Sequence, residues 1–191
     1  MKKIIPALLM LVLFAQYGTA QTNKIRPKSL SISAISNDFV TPQRIRNSSL
    51  SAVLREKQVA KLKDMDLGFA VSYIQGLSSH IDFATTIGGA FGTINLPDKN
   101  FTQDHFLLEA DASANFKMLS EEAVINPYLI AGIGLSKYSN IYGAFIPLGG
   151  GVKFNLFNET QFSVQLQYRI PVITEANNYH FQLSFGVSGV L

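Results

Sequence analysis

From Ser29 to the C-terminus, bulky apolar residues alternate with small or polar ones at a period of two, in short runs separated by polar connections. The first run, 29–35, puts Leu30, Ile32 and Ala34 on one face and Ser29, Ser31 and Ser33 on the other. Seven more follow at 67–75, 80–92, 105–117, 128–137, 145–155, 161–170 and 179–188. In the seventh, Phe162, Val164, Leu166, Tyr168 and Ile170 oppose Gln161, Ser163, Gln165, Gln167 and Arg169. Most runs have the length, about 9 to 11 residues with a few to spare, that a tilted strand needs to cross a bilayer. The pattern predicts an all-β fold: an eight-stranded antiparallel up-and-down transmembrane β-barrel.

The polarity of the two faces decides between a membrane barrel and a soluble one. A soluble barrel turns its polar set outward and fills its interior with the bulky set. Here the non-bulky face is Gly, Ala, Ser, Gln and Asn plus charges, which fits the narrow interior of eight strands and leaves the bulky face to lipid. Of the charged residues within the runs, Asp82, Glu109, Asp111, Lys117, Lys153 and Arg169 fall on the polar face. Lys137 falls on the other, at a strand end where its ammonium snorkels to the interface. Aromatic residues gather near both ends, Tyr73, Phe83, Phe116, Phe154 and Phe162 at one and Phe69, Phe91, Phe106, Tyr168, Tyr179 and Phe181 at the other, as two interfacial girdles.

Composition agrees with this reading. The 191 residues are 47% hydrophobic and only 15% charged, with a mean hydropathy of +0.18, where about a quarter charged is usual for soluble domains. Yet beyond residue 21 no run of 18 or more apolar residues offers a membrane helix. The absence of cysteine excludes disulfides, thiolate nucleophiles and thiolate metal sites.

Lys2 and Lys3, the apolar run 4–15 and the small residues Gly18, Thr19 and Ala20 read as a secretory signal peptide. The expected division is therefore signal peptide 1–20 and barrel domain 21–191, in a Gram-negative cell envelope. Lys2 and Lys3 account for two of the 16 basic residues, so the remainder carries 14 against 13 acidic ones, a net +1. Nucleic acid is not an implied partner.

With odd strands running upward, connections at 76–79, 118–126 and 156–160 fall on the periplasmic side. Those at 36–66, 93–104, 138–144 and 171–178 fall outside. The first external loop is long for a structureless segment. Ser48 or Ser49 caps a short helix there with Leu50, Val53 and Leu54 on one face, expected to lie over the barrel mouth. The loop also carries Arg44, Arg46, Arg55, Lys57, Lys61 and Lys63 against Asp38, Glu56, Asp64 and Asp66. These cations suit lipopolysaccharide phosphates or an acidic surface partner; the alternative is a solvated loop helix of mixed charge.

Inside the barrel, Asp82, Glu109, Asp111, Lys153 and Arg169 are candidates for a lumen ion-pair network that fills the interior and fixes register. The competing reading is a small ion path or salt-bridge gate. His80, His105 and His180 lie on separate runs and supply neither a metal cluster nor a catalytic triad; Asp104 with His105, or His180 with a nearby serine, is the residual lipase or acyltransferase candidate. Gly149-Gly150-Gly151 lacks the helix and Lys-Ser/Thr of a phosphate loop. No catalytic residue, metal or cofactor is assigned.

The stretches Asn126-Pro-Tyr-Leu-Ile-Ala-Gly-Ile-Gly-Leu-Ser136 and 179–189 resemble the barrel domain of the outer membrane protein A family. Asp38-Phe-Val-Thr-Pro-Gln-Arg-Ile-Arg46 and Tyr168-Arg-Ile-Pro171 are similar to its Bacteroidota-type versions. The resemblance implies an outer-membrane barrel plugged by polar and ionic side chains, without the peptidoglycan-binding domain that longer members carry. The last residues, 184–191, resemble the C-terminal signal read by the barrel-assembly machinery, with Gly189 and an aliphatic Leu191 as departures. The reading is a monomeric, non-enzymatic outer-membrane barrel with a structural or surface-interaction role, in contact with outer-membrane lipids and lipopolysaccharide. A narrow channel or binding barrel for a small polar or ionic ligand is the alternative, and an envelope lipid-modifying enzyme the third.

Overall fold

In the computed structural model, which describes residues 24–61, 64–92, 105–138, 141–157, 160–172 and 179–191, eight strands carry the alternation. They are β1 Ser29–Asp38, β2 Asp66–Gly76, β3 Ile81–Gly92, β4 His105–Lys117, β5 Ile125–Tyr138, β6 Ile141–Phe157, β7 Thr160–Pro171 and β8 His180–Val190. Each pairs antiparallel with its neighbour in sequence, and β1 pairs with β8 from Ser29↔Val190 to Asp38↔Phe181. Closure leaves no strand edge with unpaired backbone groups. The barrel's lower end holds Ser29, Val190 and the β2–β3, β4–β5 and β6–β7 connections; the upper end holds the long β1–β2 connection.

The faces sort as the period demands. Phe69, Phe91 and Ile133 point outward and are 74%, 72% and 71% exposed, with Ile32, Ile87, Leu135 and Leu166 also bare. Ser31, Ser33, Ser72, Ser113, Asn115, Gln167 and Gln182 point inward and are buried. The wall is apolar outside and the core is polar, the reverse of a water-soluble domain. No helix among the described residues is long and apolar enough to cross a membrane; the strands present the apolar surface instead.

Two inward rings fill the interior where facing positions are glycine. Phe145 is paired with Gly134, and a Cβ on Gly134 would run into its ring. Tyr128 is paired with Gly151, and a Cβ there would sit 2.6 Å from the phenol oxygen. Here glycine is required by close approach. The β5–β6 pairing skips from Ala131↔Leu148 to Gly134↔Phe145, around Pro147, which has no N–H to give the ladder.

Three expectations change. β5 and β6 run on to Tyr138 and from Ile141, so the connection read at 138–144 shrinks to residues 139–140, because Tyr138 and Gly143 keep the inward parity and Tyr142 the outward one. The loop after β1 holds two helices, α1 Val40–Asn47 and α2 Leu50–Arg55, where one was expected. α2 begins as read: Ser49 is its N-cap and its hydroxyl accepts from the Ala52 N–H at 3.2 Å. α1 starts because the Asp38 carboxylate accepts from the N–H groups of Val40 and Thr41, at 2.9 and 2.8 Å. Pro42 is tolerated in the first turn, where no intrahelical donor is lost.

The helices also do not lie over the mouth. Ser36 and Asp38 point outward by the parity of β1, yet both are buried, because the loop folds down across the outside of the wall. The Ser36 hydroxyl meets the Met65 sulfur at 3.2 Å, and Arg46 stacks on Tyr179, which lies on the outward face beside Phe181. Phe39 turns inward, against His180, Leu107 and Tyr138. The segments 1–23, 93–104 and 173–178, and with them the signal peptide and the second external loop, lie outside the described residues.

Candidate functional site

The lumen holds two ionic clusters at different levels. In the lower one Asp82, on β3 and fully buried, receives three cations. Lys153 of β6 approaches its Oδ2 at 2.5 Å, Lys117 at the end of β4 approaches Oδ1 at 2.7 Å, and Arg26 stands 3.9 Å away. Lys117 also pairs with Glu121 at 2.7 Å, and Gln161 donates to the other Glu121 oxygen at 2.7 Å. The β4–β5 connection is longer than a minimal turn because it folds inward to deliver Glu121. The Asn126 side-chain amide donates to the carbonyls of Leu119 and Ser120, and Asn155 to those of Glu121 and Ala123. Arg26 enters from below, donating to Ser188 at 2.9 Å and to Ser29 at 3.3 Å. Burial pulls its guanidinium down from the ordinary arginine value while Glu121 and Asp82 pull it back up, and it stays charged.

The upper cluster is built around Arg169 of β7. Its Nη1 donates to Glu109 at 2.5 Å, and its Nη2 to Asp111 at 3.0 Å and to Gln182 at 2.6 Å. Gln182 passes the chain on to Asn37 of β1 at 3.0 Å. The guanidinium stands 4.7 Å from the centre of the Phe145 ring. His180, completely buried, places Nε2 3.5 Å from the second Glu109 oxygen and meets the Phe39 ring at 4.5 Å. Phe39 thus packs on the upper cluster through His180. Between the clusters lies a polar cavity of about 30 Å³, lined by Ser33, Ser72, Thr86, Ser113, Gln165 and Gln167. That is room for water, not for an organic ligand.

Asp82 and Lys153 therefore meet in one cluster, and Glu109, Asp111 and Arg169 in the other; the five candidates do not form one continuous network. Arg26, Glu121 and His180 join these clusters and were not singled out for them in the sequence. Lys117 carried a signal, its place on the polar face. Arg26 and Glu121 carried none, since neither lies in a strand and period-two parity does not reach them.

In the loop, Arg44 donates to the Gln58 carbonyl at 2.6 Å, Arg46 lies 4.2 Å above the Tyr179 ring, and exposed Arg55 sits 3.6 Å from Glu56. Lys57 occupies a left-handed backbone position just past α2, φ 54°. These four residues share the loop but not one site. Lys63 lies outside the described residues. His80 is exposed and shares a 2.9 Å hydrogen bond with Ser79, while His180 faces the lumen; Asp104 and the His105 side chain lie outside the described residues. Among the described residues no group of three or more His, Cys, Asp or Glu is placed to hold a metal ion.

No family model matches the chain, and no curated protein matches it in sequence. Solved structures do match in shape. Neisserial surface protein A superimposes with a TM-score of 0.60 at 16% identity, over 88% of this chain and 99% of that one. OprG of Pseudomonas aeruginosa gives 0.55 at 8% identity, over 87% and 98%. The attachment invasion locus protein Ail of Yersinia pestis gives 0.53 at 11% identity, over 86% and 99%. The fold is that of the small eight-stranded outer-membrane β-barrels.

Proposed function

We propose that this chain is an integral, non-enzymatic β-barrel of a Gram-negative outer membrane, with a structural and surface-interaction role in the envelope. One observation carries the reading: a predominantly apolar outer wall surrounds a lumen crossed by ion pairs at two levels. Apolar side chains as exposed as Phe69, Phe91 and Ile133 are costly in water and cost nothing against lipid. Closure argues against a channel, since passage would have to part Arg169 from Glu109 and Lys153 from Asp82. The first loop, with its exposed cations, is the surface for interaction, and lipopolysaccharide phosphates suit Arg44, Arg46, Arg55 and Lys57. Two barrels of similar fold are named for the cell surface and for attachment, in keeping with such a role. The reading further takes the N-terminal 20 residues as the export signal, the barrel-assembly machinery as the insertion route, and the monomer as the working form, in the manner of Bacteroidota-type outer membrane protein A barrels.

The test is fractionation of expressing cells followed by denaturing electrophoresis with and without boiling. A band in the outer-membrane fraction that migrates differently before heating supports the proposal. A soluble periplasmic protein with no shift overturns it.

A further inference from the structure

The fold over the outside of the wall creates a second site. Between the loop helices and the outward face of β7 and β8 lies a groove of about 270 Å³, walled by Ile45, Val53 and Leu54 on the helices and Leu166, Phe181 and Leu183 on the strands. Its lining is almost wholly apolar. The few polar neighbours are committed elsewhere: Asp38 to the start of α1, Thr41 to the Ala60 N–H at 2.8 Å, Ser36 to Met65. An occupant therefore finds nothing here to orient a polar group, which excludes sugars, nucleotides and peptides as the buried part. The groove is continuous with the bare apolar belt through Leu166, 51% exposed on mid-β7. Beside it the Arg46 guanidinium is held 4.2 Å over Tyr179, and among the described residues Arg46 pairs with no carboxylate.

An apolar slot open to the lipid-facing wall, with an unneutralised cation at its upper rim, matches one class of molecule. We propose that the groove seats one acyl chain of an anionic lipid of the outer leaflet, with the lipid phosphate at Arg46. The proposal rests on the membrane reading above and deepens it, naming the site at which Arg46 acts. The loop then works as a clamp that holds a lipid against β7 and β8 instead of a lid on the lumen. Guanidinium groups bind phosphate oxygens through parallel N–H donors, and the anchored chain sets their height relative to the headgroups.

The full chain is refolded into phosphatidylcholine vesicles containing a trace of phosphatidylglycerol with a photoreactive acyl chain, irradiated, and its adducts mapped by peptide mass. Adducts are expected on α1, α2 and the Leu166–Leu183 wall in excess over Ile87 and Ile133, which face lipid elsewhere on the belt. The phosphatidylglycerol probe should exceed the same probe on phosphatidylcholine about fivefold at this site. Leu183→Trp, which fills the groove from a strand that tolerates aromatics, should remove the excess, and Arg46→Gln should remove the headgroup preference. Adducts spread evenly round the belt, or unchanged by both variants, overturn the proposal while leaving the barrel intact. The same vesicles run unheated on a gel separate the two readings: without a heat-modifiable band the membrane reading fails, and this one with it.

Discussion

Arg169 on β7 and Glu109 on β4 meet across the lumen at 2.5 Å, both buried, with Asp111 held 3.0 Å from the same guanidinium. One arginine thus serves two carboxylates, while one carboxylate below, Asp82, is served by three cations. The asymmetry decides how the clusters respond to mutation. Removing one partner of a buried pair costs about 3 to 5 kcal/mol when the other is left without compensation. Arg169→Met should therefore destabilise the refolded barrel by about that amount. Lys153→Met leaves Asp82 with Lys117 and Arg26 and should cost less than half as much. Urea unfolding in detergent or vesicles measures both; equal losses would show that the clusters are not organised as described.

The interior is also constrained by shape. Gly134→Ala places a methyl against the Phe145 ring, and overpacking of this kind costs about 1 to 3 kcal/mol. Gly134→Ala combined with Phe145→Leu should recover part of that loss in the same unfolding measurement. A double variant less stable than the sum of its singles would refute the ring–glycine fit.

On the outer wall, depth sets the penalty. Ile133→Arg, on the bare middle of β5, should cost about 2 to 4 kcal/mol in vesicles. At Lys137, four residues further up the same face and beside the Tyr142 ring at 5.4 Å, Lys→Leu should change stability by no more than about 1 kcal/mol. Similar values at the two depths would contradict a bilayer around the barrel.

The strands were legible because parity is a local property: every inward Ser or Gln and every outward Leu or Phe votes for the same face. The lumen carboxylates and cations were legible for the same reason. Partner choice was not. Which of Lys117 and Lys153 reaches Asp82, and that Arg169 takes both Glu109 and Asp111, depends on strand stagger round the closed barrel. Arg26 and Glu121 were invisible because they enter the lumen from connecting segments. α1 was missed because its start signal is Asp38, a strand residue, and Pro42 reads as a breaker unless its place in the first turn is known. The loop's position on the outer wall left one trace, outward Ser36 and Asp38 at the end of an otherwise apolar face.

That trace gives a prediction for the loop. Asp38→Ala removes the acceptor of two N–H groups at the head of α1 and should cost the loop about 1 kcal/mol. Hydrogen exchange at Val40 and Thr41 should accelerate severalfold while strand amides such as those of β5 keep their protection. Unchanged exchange in α1 would mean that the cap does not hold it.

The central claim, lipid outside and a sealed polar core inside, is tested most directly by using the lack of cysteine in the chain. Single cysteines at Leu129, Ile133 and Leu135, all outward on β5, are labelled with a small fluorophore and the protein is inserted into vesicles. The account predicts quenching by brominated lipid tails and protection from aqueous iodide at all three sites. Quenching by iodide with no effect of brominated lipid would contradict it, because the apolar wall would then face water.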